Sequence, residues 1–524
     1  MAASLRLRLR RTSLRLTPAA LAALAAVTVL AAACGGGGGG PTAFDLAHRR
    51  PALTIFGAQA KDGVGPVAAG DVNGDGRADL IVAAPMADGP DDARPDAGEV
   101  YLIFGGRPAE TIDLSRDRPD VTIFGATAAD FLGFGVAAAD VNGDGVADIL
   151  LGALLADGPA DQRQDAGEAY VIFGGPALPP TLDLAQGAAS LTIFGADPDD
   201  RLGAALATGD TNGDGFADIL LGSFLADGPD NTRYQAGEAY VLLGSSALTG
   251  SRDMAQGEYD LALIARDGDD QLGRYLAMGD LDGDRRDDLI VSAFRADGPS
   301  NEREDAGEVY VFFAASELEG TVDLAATQPD LTVHGAKAFD VFGGAVGAGD
   351  LNGDGPADLI VGAPSAGDGI RPGRTYVFFG GSGLSGSRDV AQAQQDVTLQ
   401  GVDDGDRFGA VVAAADLNGD GLDETAVTAE RGDGQNDRRE DAGEVYVVRG
   451  SAALPATLDM ARPAYDAVVF GEHIRDVLGA SLAAADWDGD GRPDLLLGSF
   501  VADGPNGRTD SGAVYVIRGP SLSP

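Results

Sequence analysis

The sequence predicts an all-β protein: a seven-bladed β-propeller of four-stranded antiparallel blades, closed by the N-terminal strand joining the last blade. A nine-residue pattern, Asp71-Val-Asn73-Gly-Asp75-Gly-Arg77-Ala-Asp79 in its first copy, recurs starting at Asp140, Asp210, Asp280, Asp350, Asp416 and Asp486. The intervals are 69, 70, 70, 70, 66 and 70 residues, a period typical of repeat architectures. A solenoid is the competing interpretation, but it needs atypical capping repeats, and both ends of this chain resemble its middle.

Each unit contains four short stretches with the character of strands. In the second unit these are a stretch of small residues at 136–139, then 148–151, 168–173 and 191–194. Branched and aromatic residues fill them, and Gly or Asp stands at each break, which favours strands over helices. The innermost strands of a propeller converge on its axis, so the small residues of the first stretch fit there.

The two ends of the repeat region complement each other. Residues 44–46 and 53–56 match the end of a unit, and the seventh unit ends after its third strand, at 514–517. The N-terminal strand can therefore complete the last blade, which leaves no exposed inner edge. We expect the propeller to span residues 44–520, with a short tail at 521–524.

Composition limits the function. The chain has 524 residues, a formal charge of −45 and one cysteine, with 44% hydrophobic residues. A single cysteine excludes a disulfide framework and a Cys-clustered metal site. Nucleic acid and anionic lipid are disfavoured as partners because they would repel so acidic a protein. Cations are the natural counter-charge.

The N-terminal segment predicts export. An arginine-rich start precedes a 16-residue run of small and apolar residues at 18–33, too short for a confident membrane span. Leu30-Ala-Ala-Ala-Cys34 resembles a bacterial lipobox, which implies that residues 1–33 are removed and Cys34 is lipidated, with a glycine-rich tether at 34–43. We expect an exported protein, anchored by its lipid to the cell envelope or surface, or secreted. The alternative is an ordinary secretory signal with an incidental cysteine.

The nine-residue loops have the composition of calcium sites. A hard divalent cation takes six to eight oxygens. Side chains at positions 1, 3, 5 and 9 and the carbonyl at position 7 supply them, while Gly at positions 4 and 6 permits the tight loop. Position 12 is hydrophobic (Val82 in the first copy) where an EF-hand has Glu, so the loop joins two strands. A metal-free acidic turn is the alternative.

We predict up to seven structural Ca²⁺ ions. The fourth loop, which lacks Gly at position 6, and the sixth, which has Glu at position 9, depart most from the pattern. The predicted ligand residues are Asp71, Asn73, Asp75, Arg77, Asp79; Asp140, Asn142, Asp144, Val146, Asp148; Asp210, Asn212, Asp214, Phe216, Asp218; Asp280, Asp282, Asp284, Arg286, Asp288; Asp350, Asn352, Asp354, Pro356, Asp358; Asp416, Asn418, Asp420, Leu422, Glu424; Asp486, Asp488, Asp490, Arg492 and Asp494.

These motifs resemble a known repeat family. The Phe-Gly-Ala strand ends, the Leu-Gly or Phe-Gly at 132–133, 342–343 and 408–409, and the Gly-Ala-Pro at 362–364 are similar to FG-GAP repeats. Such repeats form the seven-bladed propeller of integrin α-subunits. The resemblance implies calcium in the loops between first and second strands, on the lower face of the ring. Integrins carry this loop in only some blades, whereas all seven units have it here.

The opposite, upper face is the candidate recognition surface, because loops on a rigid ring commonly carry function. Its long Asp-Gly-Pro loops contain Arg94, Arg163, Arg233, Arg303 and Arg438. An Asp precedes the inner strand of each unit: Asp62, Asp130, Asp200, Asp270, Asp340, Asp406 and Asp476. Turn chemistry or pairing with the nearby arginines is the simplest interpretation of these aspartates.

Nothing in the sequence marks a catalytic constellation. The three histidines, His48, His334 and His473, occupy different unit positions, and no carboxylate pair stands out. Arg431-Gly-Asp433 is the Ala-Asp-Gly turn of the repeat with one substitution. We therefore expect a non-enzymatic module that binds an extracellular protein or polysaccharide, as in adhesion. The alternatives are an extracellular hydrolase of polysaccharides or phosphoesters built on a propeller, and a purely structural envelope protein.

Overall fold

The computed structural model describes residues 41–107, 110–313, 319–367 and 372–522. They form seven separate sheets, and the first strand of each sheet contacts the first strands of its two neighbours all the way round. The predicted seven-bladed all-β propeller is confirmed. The predicted signal (1–33), Cys34 and the tether up to residue 40 lie outside the described residues.

The strands are numbered β1 to β35 in chain order, and the blades are numbered by the order of their first strands. The first strands are β3 (Val67–Gly70), β8 (Leu132–Ala139), β13 (Ala205–Gly209), β18 (Leu272–Gly279), β23 (Ala345–Gly349), β28 (Phe408–Ala415) and β33 (Ser481–Ala485). The second strands are β4 (Asp79–Ala84), β9 (Asp148–Ala153), β14 (Asp218–Ser223), β19 (Asp288–Ala293), β24 (Asp358–Ala363), β29 (Glu424–Ala429) and β34 (Asp494–Ser499). The third strands are β5 (Glu99–Ile103), β10 (Glu168–Ile172), β15 (Glu238–Leu242), β20 (Glu308–Phe312), β25 (Arg374–Phe378), β30 (Glu444–Val448) and β35 (Ala513–Ile517).

The outer strands of blades 1 to 7 follow in the same order. The fourth strands are β7 (Val121–Phe124), β12 (Leu191–Phe194), β17 (Leu261–Ile264), β22 (Leu331–His334), β27 (Val397–Gln400), β32 (Ala467–Phe470) and β2 (Leu53–Phe56). The fifth strands are β11 (Thr181–Asp183), β16 (Gly250–Asp253), β21 (Gly320–Asp323), β26 (Gly386–Asp389), β31 (Thr457–Asp459), β1 (Thr42–Asp45) and β6 (Thr111–Asp113).

Within the described ranges the helical segments are single 3₁₀ turns. They are Pro90–Asp92, Pro159–Asp161, Leu184–Gln186, Pro229–Asn231, Met254–Gln256, Pro299–Asn301, Val390–Gln392, Pro505–Gly507 and Gly519–Ser521. No helix in this part of the chain is long and apolar enough to cross a membrane.

The blades have five strands, so the prediction of four was wrong. The fifth strand comes from the Leu-Asp-Leu connection of the following unit and pairs parallel with the fourth, as Leu182 does opposite Ile123. The sequence analysis treated this stretch as a connection because three or four residues carry almost no periodic signal. Each blade therefore takes its outermost strand from the next unit along the chain.

Strands from both ends of the repeat region meet in blade 7. Its sheet has the order β33-β34-β35-β2-β6, with Ile55 of β2 antiparallel to Val514 of β35. Apolar residues of β2 and β35 share a buried core with β4 and β5 of blade 1. The pairing supplies β35 with a neighbour on its outer side.

The hydrophobic core is divided between the blades. Seven clusters of buried side chains each combine residues of two neighbouring blades, such as Leu220 and Val241 of blade 3 with Leu289 and Tyr310 of blade 4. Since the sheets pack face to face and have no common centre, both faces of the middle strands are apolar. The loops at the two ends of the ring are left to carry the polar residues.

Candidate metal loops and upper-face clefts

The acidic loops join the first and second strands of each blade. In the first loop Asp71 accepts three backbone N–H groups: its Oδ1 from Gly74 and Asp75 at 2.8 and 3.0 Å, its Oδ2 from Gly76 at 2.7 Å. The Asp75 carboxylate accepts from the amide of Arg77 at 3.0 Å. The loop is thus wound around the position-1 carboxylate, which holds positions 1 and 5 close together.

Glycine is required here by backbone geometry. Gly74 and Gly76 have φ angles of 77° and 86°, in the left-handed region that side chains disfavour. In the fourth loop Arg285 occupies position 6 with φ of 71°, and its amide still donates to Asp280 at 2.9 Å. The departure predicted from the sequence therefore leaves the loop shape unchanged, at the expense of backbone strain.

The position-9 carboxylates lie beneath the loops. Asp79 is fully buried; its Oδ2 accepts from the amide of Val72 at 3.0 Å and its Oδ1 from that of Gly105 at 2.8 Å. Burial, followed by the neighbouring acidic side chains, raises the pKa of Asp79 to about 6 and that of Glu424 in the sixth loop to about 7. Position 9 thus ties the loop to the turn after the third strand, a structural role that the sequence analysis did not foresee.

Two loops bring three carboxylates within reach of one ion. Ligand oxygens of Asp280, Asp282 and Asp288 lie within 4.8 Å of one another, as do those of Asp486, Asp488 and Asp490. These two loops have Asp at position 3, where the other five have Asn. In the seventh loop the Asp494 side chain is buried, and its Oδ2 has no hydrogen-bond partner among the described residues.

Adjacent loops are bonded to each other. The amide of Ala147 in the second loop donates to the Asp71 carbonyl of the first at 2.9 Å. The same bond joins Ala217 to Asp140, Asp287 to Asp210, Ala357 to Asp280 and Asp423 to Asp350. The position-7 side chain also covers the position-4 glycine of the preceding loop: a Cβ on Gly74 would lie 3.2 Å from a methyl of Val146. The lower face is therefore a connected band of loops.

On the upper face, arginines fasten the fifth strands. Arg94 of blade 1 donates to both carboxylate oxygens of Asp183, each at 2.8 Å, and Asp183 ends β11. Equivalent pairs are Arg163–Asp253, Arg233–Asp323, Arg303–Asp389, Arg439–Asp45 and Arg508–Asp113. The sixth-blade residue is Arg439, so the sequence-based choice of Arg438 was one position off. The loop of blade 5 contains 368–371, outside the described residues.

The aspartates before the inner strands are buried turn residues. Asp200 accepts from the amide of Asp197 at 3.1 Å and is 4% exposed. Burial, and then the Glu238 carboxylate beside it, raises the pKa of Asp200 to about 8. Burial likewise raises the pKa of Asp130 to about 7 and that of Asp270 to about 8. These aspartates accept hydrogen bonds that stabilise the turns before the inner strands. The upper-face arginines pair instead with the aspartates that end the fifth strands.

Two of the sequence features outside the repeat pattern have local roles. His334 is buried between Glu308 and Ser387, with ring nitrogens 2.7 and 3.1 Å from their oxygens. Asp433 of the Arg-Gly-Asp tripeptide accepts from the amide of Asp441 at 3.0 Å, as the equivalent aspartates of other blades do. The tripeptide is thus the repeat's own turn.

The third histidine lies in a cleft of about 550 Å³ on the upper face of blade 7. His473 Nδ1 is 3.4 Å from Asp476 Oδ2, and its Nε2 is 3.9 Å from Glu472 Oε1. Burial raises the pKa of both carboxyl groups. Glu472 stands where most blades have Ala, while Ala513 replaces the Glu that begins most third strands. Sequence reasoning did not connect these two departures from the repeat because the two positions are far apart in the unit.

Comparison with known families accounts for most of the repeat region. A family model described as FG-GAP repeat matches seven segments: 67–103, 132–172, 202–242, 272–312, 342–378, 408–448 and 478–517. Each segment begins at the first strand of its blade, or three residues before it, and ends with the third strand. The segments therefore include all seven acidic loops.

Two kinds of curated protein are similar to this chain. Integrin alpha-4 of Xenopus laevis is 31% identical over 214 residues, 39% of this chain and 18% of the integrin. Phosphatidylinositol-glycan-specific phospholipase D of Bos taurus is 27% identical over 374 residues, 68% of this chain and 42% of the phospholipase. The chain thus spans less than half the length of either relative. The expectation that the protein is not an enzyme is corrected by the second relative, because a protein named as a phospholipase matches two thirds of this chain.

Two solved structures are similar to this chain at low identity. The exotype rhamnogalacturonan lyase YesX has a TM-score of 0.40 and 12% identity, with 90% of this chain and 75% of the lyase covered. The Dos1 propeller has a TM-score of 0.41 and 10% identity, with 86% and 83% covered.

Proposed function

Because the chain belongs to the FG-GAP repeat family, we propose that it is an extracellular, calcium-stabilised propeller that hydrolyses a polysaccharide or a phosphoester at the cleft of blade 7. The observation that carries this proposal is the cleft itself. It combines a histidine with the buried carboxyl group of Asp476 and the partly buried one of Glu472, both of raised pKa, and these are the residue types that general acid–base catalysis uses. The phospholipase D relative of Bos taurus supports hydrolysis over pure binding, since it aligns with 68% of this chain and the integrin with 39%.

The residues have distinct roles in this proposal. Asp476, beside Nδ1, orients the His473 ring, which takes a proton from the attacking water. Glu472, whose pKa is raised by burial, gives a proton to the leaving oxygen. Water thus contributes its hydroxyl to the phosphorus or sugar carbon, the bond to the leaving oxygen breaks, and the Glu472 proton is later replaced from His473.

The charge of the cleft separates the two substrate classes. Glu472, Asp476, Asp503 and Asp510 line it, so a neutral sugar polymer meets less repulsion there than a phosphate does. The phospholipase D relatives favour the phosphoester instead. Turnover assays should therefore present p-nitrophenyl glycosides, bis-p-nitrophenyl phosphate and the corresponding polymers.

The matched variants are His473→Gln and His48→Gln. His48 is also next to an aspartate, with its Nδ1 2.9 Å from Asp45, but its side chain is 78% exposed and lies outside the cleft. Loss of about 100-fold in turnover for His473→Gln alone is expected from removal of an acid–base group. Equal turnover of both variants, or no turnover of any substrate by the wild type, would contradict the hydrolytic role.

Calcium is proposed as a structural partner of the lower loops. Three features fit a hard cation that prefers oxygen ligands. They are the position-1 carboxylates around which the loops are wound, the two clusters of three carboxylates, and the Asp494 oxygen without a hydrogen-bond partner among the described residues. Bound calcium would supply charge neutralisation there. The residues themselves hold the loop geometry and tie it to the second and third strands.

Adhesion to a protein partner is the second candidate, because integrin α-subunits are also relatives. It predicts saturable, calcium-dependent capture of envelope or matrix material without turnover. Lipid attachment at Cys34 is a further part of the proposal and is tested separately, by metabolic labelling with palmitate and comparison with Cys34→Ser.

A further inference from the structure

The axis of the ring opens on the upper face in a cavity of about 270 Å³, which we call the axial mouth. The first strands of all seven blades line it, and nearly all of their side chains there are small or aliphatic. The residue after the Leu-Gly or Phe-Gly motif is Ala204, Gly344, Ala410 or Ala480 in four blades. In blades 2 and 4 it is Phe134 and Arg274, which depart from the expectation of small residues at the axis.

These two exceptions meet each other. The Arg274 guanidinium carbon lies 5.5 Å from the ring centre of Phe134, 5.3 Å from that of Phe224 and 5.1 Å from that of Tyr275. Phe134 is 40% exposed, whereas most aromatic residues that the structure describes are buried or half-buried. Cation–π contacts of this kind hold a guanidinium in place without using its N–H donors.

Of the described residues that line the axial mouth, Arg274 is the one that carries a charge. Among the residues that the structure describes, its guanidinium has no carboxylate or carbonyl acceptor, in contrast to the arginines that fasten the fifth strands. A guanidinium offers five donors in a plane and pairs best with two oxygens of one group. An unpaired guanidinium in an apolar setting, in a protein of charge −45, therefore lacks the partner that its chemistry calls for.

We propose that the axial mouth binds one oxyanion, a carboxylate or a phosphate, carried on an apolar or ring-shaped body. The oxyanion pairs with the free edge of Arg274, and the body packs against Phe134 and the aliphatic residues around it. This inference goes beyond the proposed function, since it uses none of the blade 7 residues. Loss of turnover in His473→Gln leaves it intact.

Calorimetric titration of the full chain in calcium buffer tests the proposal with four probes. Phenyl phosphate and benzoate carry an oxyanion on a ring, glucuronate carries one on a sugar, and benzamide is the neutral counterpart of benzoate. We expect saturable binding of at least one anion below about 10 mM and much weaker binding of benzamide. Tighter binding of phenyl phosphate identifies a phosphate ligand, and tighter binding of benzoate or glucuronate a carboxylate ligand.

Arg274→Met keeps most of the aliphatic stem and removes the charge, so it should weaken anion binding at least about tenfold. Arg407→Met is the matched control, because Arg407 is already paired with Glu430 at 2.8 Å, and it should change binding less than twofold. Arg274→Lys keeps the charge without the planar donors and should be intermediate; it serves if Arg274→Met does not fold. Equal binding of benzamide and benzoate, unchanged binding in a folded Arg274 variant, or no binding of any anion would overturn the proposal.

Discussion

The position-1 aspartates of the lower-face loops accept backbone N–H groups near the surface, whereas aspartates of the upper face are buried beside other carboxylates or paired with arginine. Asp71 at the lower face has three amide donors and no cationic partner, while Asp389 at the upper face is held by Arg303. The comparison shows two ways of accommodating a large negative charge. Under the proposed function, bound calcium would offset most of the lower-face charge, whereas protonation and ion pairs with arginine accommodate the charge of the upper face.

Removing calcium should have the largest effect on stability, because all seven proposed lower-face sites would lose their ions together. At about 1 mM calcium, sites with Kd near 10⁻⁴–10⁻³ M each add roughly 0.4–1.4 kcal/mol, or about 3–10 kcal/mol for seven independent sites. Thermal melting in calcium and in chelator measures this difference, with magnesium as the control ion. An unchanged melting midpoint in chelator would mean that the lower face is as independent of calcium as the upper face.

Breaking an upper-face ion pair should come next, and it should not depend on calcium. Arg303→Met leaves the Asp389 carboxylate, 5% exposed, without its guanidinium and should cost about 2–4 kcal/mol of unfolding free energy. The control is Arg116→Met, whose side chain is 67% exposed, with an expected change within about 0.5 kcal/mol. Denaturant titrations with and without calcium check both values; a loss that calcium restores would contradict the division between the faces.

The buried upper-face carboxyls should give the protein a distinctive pH dependence. Burial raises the pKa of Asp200 in the folded state, so its contribution to stability is full below the unfolded pKa and is lost as pH rises through about 8. Asp200→Asn cannot ionise and should gain on the wild type by up to about 1.4 kcal/mol per pH unit over that range.

The matched control for this titration is the exposed neighbour, Asp199→Asn. Urea titrations in chelator at several pH values compare the two variants with the wild type. The Asp200→Asn curve should diverge from the wild-type curve above about pH 5, and the Asp199→Asn curve should run parallel to it. Parallel curves for both variants would show that Asp200 is ionised in the folded protein.

Arginine-paired carboxylates act in the opposite direction. Hydrogen bonds from Arg163 and Arg303 lower the pKa of Asp253 and of Asp389. The stabilisation from these carboxylates is therefore full above their unfolded-state pKa and is lost as pH falls through the lowered folded-state pKa. Maximal stability in chelator should therefore lie in the mildly acidic range.

The smallest effect concerns the strained fourth loop. Arg285→Gly relieves a left-handed backbone at φ of 71° and should stabilise the protein by about 0.5–1 kcal/mol, in calcium and in chelator alike. Gly283→Ala in the same loop should destabilise it, because φ is 85° and the new Cβ would lie 3.0 Å from Pro356. A destabilised Arg285→Gly would mean that the arginine side chain contributes more than its backbone costs.

The repeat period was enough to predict the propeller, its blade count and the position of the acidic loops. The fifth strands were missed because a stretch such as Thr181–Asp183 has too few residues to show alternation, and its pairing depends on the preceding blade. Calcium occupancy stays a prediction, because hydrogen bonds within a loop form with or without an ion.

The sites on the upper face were not predictable from the repeat. The blade 7 cleft depends on Glu472 and Ala513, which are distant in the unit; Glu472 follows β32 and hydrogen-bonds to Tyr515, two residues after Ala513 in β35. The contact between Phe134 and Arg274 crosses from blade 2 to blade 4 at the axis. Sequence reasoning that averages over repeats removes such single departures, although a list of the positions where one unit differs from the rest would have contained all four residues.

If calcium binds as proposed, the amide bonds between successive acidic loops would make neighbouring ion sites thermodynamically dependent. An ion that fixes Asp71 would also fix the carbonyl to which Ala147 of the next loop donates a hydrogen bond. The next loop would therefore lose less conformational entropy when it binds the second ion. A calcium titration should consequently have a Hill coefficient above one. Pro493 in the seventh loop has no amide hydrogen to continue this series, so cooperativity should be interrupted between the sixth and seventh loops.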